Sequence, residues 1–197
     1  ISEENLKYIE KITRDVTITV CADKEEYADG TYANLIASNG VFDTSSGVFF
    51  TQTEKLLKEY EMRNKHISLQ YVDPQSTDFT KYSSKYPSED FTTGDILIEC
   101  EFELDGKKIE HYRHLDAFDL YKIESTQENQ NYYSLYYSGY SYVLSSSNIE
   151  TAITSSIYAV TSDKTLQVAL ITANGGKTVD ALQALMQTNN YTFFEID

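Results

Sequence analysis

The chain has 197 residues, enough for one sizeable domain or two small ones, and its 41% hydrophobic and 24% charged content belongs to a folded chain rather than a disordered one. Sixteen Lys and Arg stand against thirty-one Asp and Glu, a formal net charge of -15. Such a charge repels phosphate backbones and anionic headgroups, which argues against nucleic acid or a membrane surface as partner.

The opening "ISEENLKYIEKI" predicts a helix: Ser2 can cap it, acids fill its first turn, and Leu6, Ile9 and Ile12 recur at helical spacing. "DVTITVC" alternates Val16, Ile18 and Val20 with Thr17 and Thr19, a half-buried strand. "ADKEEYADG" reads as a polar loop, and residues 31–48 as an irregular connection rich in Gly, Ser, Asn and Asp.

Thr51 and Glu54 have the spacing of a capping box, and Thr53, Leu56, Leu57 and Tyr60 make one face of a helix to about Asn64. "HISLQYVDP" returns to alternation through Ile67, Leu69 and Tyr71 and stops at Asp73-Pro74. Strand, helix, strand is the signature of a layered α/β domain. After a polar stretch, "GDILIECEFELDGKKIEHYRHLDAFDLYKI" predicts a hairpin turning at Asp105-Gly106, whose antiparallel edge makes the sheet mixed.

"NYYSLYYSGYSYVL" packs Tyr132, Tyr133, Tyr136, Tyr137, Tyr140 and Tyr142 into fourteen positions. The rings suit strands around a Ser138-Gly139 turn, with Tyr140, Tyr142 and Leu144 on one face, and packing comes before a ligand-stacking surface, which is the alternative. Ser147 and Glu150 have capping-box spacing ahead of a helix with Ile149, Ala152, Ile153 and Ile157 on one face. The strand "TLQVALITANGG", the helix "KTVDALQALMQTNN" and the strand "YTFFEID" form a second βαβ unit.

Common catalytic signatures, such as the nucleophile elbow, the Walker loop, Gly-x-Gly-x-x-Gly and His-Glu-x-x-His, do not occur. His111 and His114 fall on opposite faces of a strand and cannot jointly hold a metal without distortion. Cys21 and Cys100 lack CxxC spacing; each ends an apolar run, as a buried free thiol does, while export would permit their pairing. Asn174, Gly175 and Gly176 follow a strand and precede a helix, where α/β folds place ligands and backbone amides can approach one. The first residue is Ile1 and no run of 18 apolar residues occurs, so the expectation is an excised piece with no spanning segment and no signal peptide.

In order, "ISEENLKYIEKI", "VTITV", "TEKLLKEYEMRNKHISLQYVDP", "IETAITSSIYAVT" and "LQVALITANGG" resemble the extracytoplasmic region of the gliding-motility auxiliary component family of ABC-type transport systems. The resemblance implies a thioredoxin-like α/β portion over residues 1–124, a Tyr-rich connecting segment over 125–147, and over 148–197 the start of a portion resembling flavodoxin and glutamine amidotransferases. Both portions would be non-catalytic, without cofactor or metal, in a membrane-anchored subunit on the extracytoplasmic face of the cell membrane. The anchor would precede Ile1 and the second portion would continue beyond Asp197. Family members commonly carry Thr-Gly-His-Gly-Glu where this chain has Thr172, Ala173, Asn174, Gly175 and Gly176, so the family's His and Glu are missing. The implied role is interaction or scaffolding with ABC permease and ATPase subunits or another extracytoplasmic protein. The alternative is a carbohydrate- or peptide-binding domain using its tyrosines.

Overall fold

The computed structural model describes residues 1–30, 41–42, 47–125, 141–163, 166–171 and 191–196. Its centre is a four-stranded mixed sheet, built from β1 (Val16–Val20), β3 (Ile67–Tyr71), β4 (Ile96–Leu104) and β5 (Lys107–Leu115), in the order β3-β1-β4-β5. β1 runs parallel to β3 and antiparallel to β4, and β4 and β5 form the expected hairpin. Asp105 (φ 52°) and Gly106 (φ 73°) make its turn, the two positive φ values that a two-residue hairpin with right-handed twist requires.

The long helix α3 (Gly47–Arg63) makes the crossover from β1 to β3, while α1 (Glu3–Ile9) precedes β1 with Ser2 as its N-cap. These two and α6 (Ile149–Thr161) cover one face of the sheet. Their apolar stripes, Ile9 and Ile12, Leu57 and Tyr60, and Ile149, Ile153, Ile157 and Val160, share one buried cluster with Val16, Ile18, Val20, Ile96 and Ile98. The helix of residues 149–161 is therefore packed in the same core as the strands of the first portion. At roughly 25 cal/mol per Å² of apolar surface, burial of each such Ile or Leu contributes about 1.5–3 kcal/mol.

The opposite face carries a 3-10 turn (Thr77–Phe79) and the short helix α4 (Thr80–Lys85). Phe79, Tyr82 and Tyr86 come from that segment and bury Leu97 and Cys21. With both faces covered, Thr19 is wholly buried although the alternation predicts an exposed position. Its hydroxyl accepts a 2.7 Å hydrogen bond from the Gln70 amide.

Several boundaries differ from the sequence reading. The polar stretch after β1 contains a helix, α2 (Lys24–Asp29), capped by the Asp23 carboxylate and ended by Gly30 in the left-handed region (φ 80°). α3 starts four residues before Thr51, so that residue lies inside the helix and donates its hydroxyl to Ala28 O rather than capping. The N-cap of α6 is Asn148, and Glu150 turns away from the capping box to accept from Ser2 N (2.7 Å) and Asn5 Nδ2 (2.6 Å), tying α1 to α6. The hairpin's return strand ends at Leu115, where Asp116 caps a single helical turn, α5 (Ala117–Leu120).

The next residues belong to a second sheet, in which β2 (Val41–Phe42) lies parallel to β7 (Ser141–Ser147) and β6 (Tyr121–Ser125) antiparallel to it. β8 (Leu166–Ile171) and β9 (Tyr191–Ile196) pair in parallel, as the second βαβ unit requires. The helix expected between them lies outside the described residues.

Candidate functional site

The expected ligand positions Asn174, Gly175 and Gly176, and the tyrosines Tyr132, Tyr133, Tyr136, Tyr137 and Tyr140, all lie outside the described residues. Among the described residues, the densest group of chemically capable side chains sits beside α4, where β5 and the segment leading into β4 converge.

Its centre is His114. Successive side chains of a strand alternate between faces, and the pair His111 and His114 divides as the sequence predicts. The His111 ring meets Phe102 edge-on and its Nδ1 lies 3.2 Å from Val160 O on the α6 side. His114 points to the other face, where Nδ1 lies 2.8 Å from Glu89 Oε2 and Nε2 lies 2.9 Å from Asp95 Oδ2. Phe91 covers the ring at 4.5 Å.

Asp95 is 1% exposed and is fixed from the other side by Thr92, whose backbone N donates at 2.7 Å and whose hydroxyl donates at 3.1 Å. Glu89 also accepts from the Tyr112 hydroxyl at 2.8 Å. Burial disfavours a charged His114, but hydrogen bonds to Asp95 and Glu89 outweigh it and raise the pKa to about 9. At neutral pH the ring is an imidazolium with both N–H groups donated to carboxylates.

This arrangement sets what the group can do. A base that activates a hydroxyl needs a free ring nitrogen facing it, with the acid behind. Here Asp95 stands between Thr92 and His114, and the second ring nitrogen goes to a second acid, so His114 acts as a charged clamp. It holds the segment 89–95 against β5. That segment also anchors the end of β1: Cys21 N donates to Asp95 O (2.8 Å) and Gly94 N donates to Cys21 O (2.9 Å).

Next to the clamp, Lys85 of α4 reaches Glu99 (2.8 Å) and Glu110 (2.7 Å), and the Tyr86 hydroxyl donates to Glu99 at 2.6 Å. Burial alone would lower the Lys85 pKa, but its bonds to Glu110, Glu99 and Tyr86 raise it instead.

Both cysteines are free and buried. Cys100 pairs in register with Val16, at the start of β1, while Cys21 follows the end of that strand. Five residues at about 3.3 Å each separate them by roughly 16 Å, far beyond the 7 Å Cα limit for a disulfide. Burial pushes the Cys21 thiol well up, and the nearby Asp95 and Glu99 charges add to the effect, so the nucleophilic thiolate is suppressed. Among the described residues, no three His, Cys, Asp or Glu side chains are arranged to hold a metal ion.

Sequence reading placed His114 on its face but missed Glu89 and Asp95, which are 25 and 19 residues away along the chain. The usable signal was the aromatic spacing Phe79, Tyr82, Tyr86, which marks a covering helix over that face. Compared with known protein families, with curated proteins and with solved structures, the chain shows no match.

Proposed function

We propose that the chain is a non-catalytic interaction domain on a thioredoxin-like frame. The frame reading rests on the order β3-β1-β4-β5, with a parallel first pair joined through α3, an antiparallel hairpin, and helices on both faces. A flavodoxin- or amidotransferase-like second portion rests on the parallel β8 and β9.

One observation carries the functional reading: His114, its two acids and both cysteines are committed to structure. Redox work in such a frame needs a dithiol, whereas Cys21 stands alone at the end of its strand and is hydrogen-bonded through its backbone to the clamped segment. The imidazolium of His114 is held on both sides. A fold without its family's reactive groups keeps its surfaces, and surfaces recognise partners.

Following the resemblance, the proposed setting is the extracytoplasmic part of a membrane-anchored auxiliary subunit of an ABC-type transport system. Its partners there are permease and ATPase subunits or another extracytoplasmic protein. Three measurements test this. The chain should show no thiol-dependent turnover of a disulfide substrate, and replacing Cys21 and Cys100 by Ala should leave partner association unchanged. Cross-linking in native membranes should recover the permease and ATPase. Thiol-dependent turnover would overturn the non-catalytic reading, and recovery of glycan in place of protein would favour carbohydrate binding.

A further inference from the structure

The two edges of the central sheet are not alike. In β3 the odd-numbered residues direct their amides away from β1, because His66 O and Val72 N make the bonds to that strand. Two of these outward amides are already satisfied: Ile67 N donates to Asn64 O (3.0 Å) and Leu69 N donates to the Glu61 carboxylate (2.9 Å), which reaches over from α3. This is how native proteins blunt an edge strand.

The β5 edge has no such cover among the described residues. The two-residue turn makes Leu104 and Lys107 a hydrogen-bonded pair, so by alternation the backbone groups of Lys108, Glu110, Tyr112 and His114 point outward. Among the described residues, no strand lies beyond β5 in the sheet. β5 is also the basic strand of an acidic chain. "KKIEHYRHL" contains three of the sixteen Lys and Arg, two of the three His and a single acid. Lys107 is exposed and makes no ion pair among the described residues, and the Lys108–Glu101 pair is more than half exposed on both sides.

We propose that the outer edge of β5 docks an extended, acidic segment of a partner protein by strand addition. This deepens the interaction-domain reading and rests on it. Backbone groups of Lys108, Glu110, Tyr112 and His114 supply affinity without regard to sequence. The exposed Lys107 and the basic character of β5 select acidic side chains over basic ones at this margin, and a second copy of the chain is an outcome that the test separates.

The test uses amide hydrogen exchange on the whole chain with a short peptide alternating Glu and Val, and with a Lys and Val counterpart. The acidic peptide is expected to slow exchange at residues 108, 110, 112 and 114 by about tenfold or more, leaving the already bonded amides of 109, 111 and 113 unchanged. Glu110→Pro removes an outward donor and, as Glu110→Ala also does, the carboxylate that Lys85 holds, so the proline variant should abolish this protection while Glu110→Ala retains it. Lys108→Pro is the second backbone variant should Glu110→Pro fail to fold, which loss of protection at the inward amides would reveal. Equal protection by the basic peptide, or protection that survives both proline variants, would overturn the proposal. So would protection that grows with chain concentration alone, since that identifies a second copy. Partner cross-linking that persists with no protection at the edge would reject this surface and leave the interaction-domain reading standing.

Discussion

On one face of the central sheet Ile9, Ile18, Leu57, Ile98, Ile153 and Ile157 are wholly buried against one another. On the other face the rings of Phe79, Tyr82 and Tyr86 close over Leu97 and Cys21, with Lys85, Glu99, Asp95 and His114 linked by ion pairs around them. The first face draws its stability from aliphatic area, which neither pH nor salt changes much. The second has less area and depends on hydrogen-bonded charges, so it responds to both. Two faces of one sheet thus answer different perturbations.

The sharpest break comes on the aliphatic side. Ile18→Ala in the central strand should destabilise the chain by about 4 kcal/mol, through lost transfer energy and the cavity left behind, with no dependence on pH. Urea unfolding at two pH values measures both. On the other face, Asp95→Ala removes the most buried partner of His114 and should cost about 3 kcal/mol, since His114 Nε2 and the Thr92 donors lose their buried acceptor while Glu89 still holds Nδ1.

The clamp also predicts a pH profile. His114 has a folded pKa of about 9, above its ordinary value of 6.5, so its contribution is fully present below about pH 6.5 and is lost as pH rises through about 9. Between pH 6 and pH 10 the wild-type chain should lose on the order of 2 kcal/mol more than His114→Gln, after allowance for solvent screening. Equal losses in the two proteins would sink the clamp. The smallest effect belongs to Lys85→Met: with a side chain 39% exposed, its ion pairs should contribute under about 1 kcal/mol, a difference that shrinks in 1 M salt.

Much of the sheet was legible in the sequence because period and turn chemistry are local. Alternation marked β1 and β3, and Asp105-Gly106 fixed the hairpin. Spacing failed where the same residues serve a distant partner. Thr51 and Glu54 have capping-box spacing inside a helix, and Glu150 finds Ser2 and Asn5 instead of its own N-terminus. Polarity hides α2 from a reading by period, although Asp23 and Gly30 announce both of its ends. The site was less legible than the fold. The opposed faces of His111 and His114 follow from strand geometry, but the acids that clamp His114 arrive from a separate segment, and only pairing register shows that Cys21 and Cys100 stand apart.

The carboxylate of Glu61 on the amide of Leu69 bears on assembly as well as on local satisfaction. A sheet that can be extended at both margins can elongate without limit, each added copy offering a fresh template for the next. With the outward amides of Ile67 and Leu69 already bonded, the β3 margin is blunted, so a second copy joined at β5 brings a blunted margin and not a fresh template. Even two chains joined margin to margin would show the solvent two closed ends, so a protein that accepts a strand need not seed a filament.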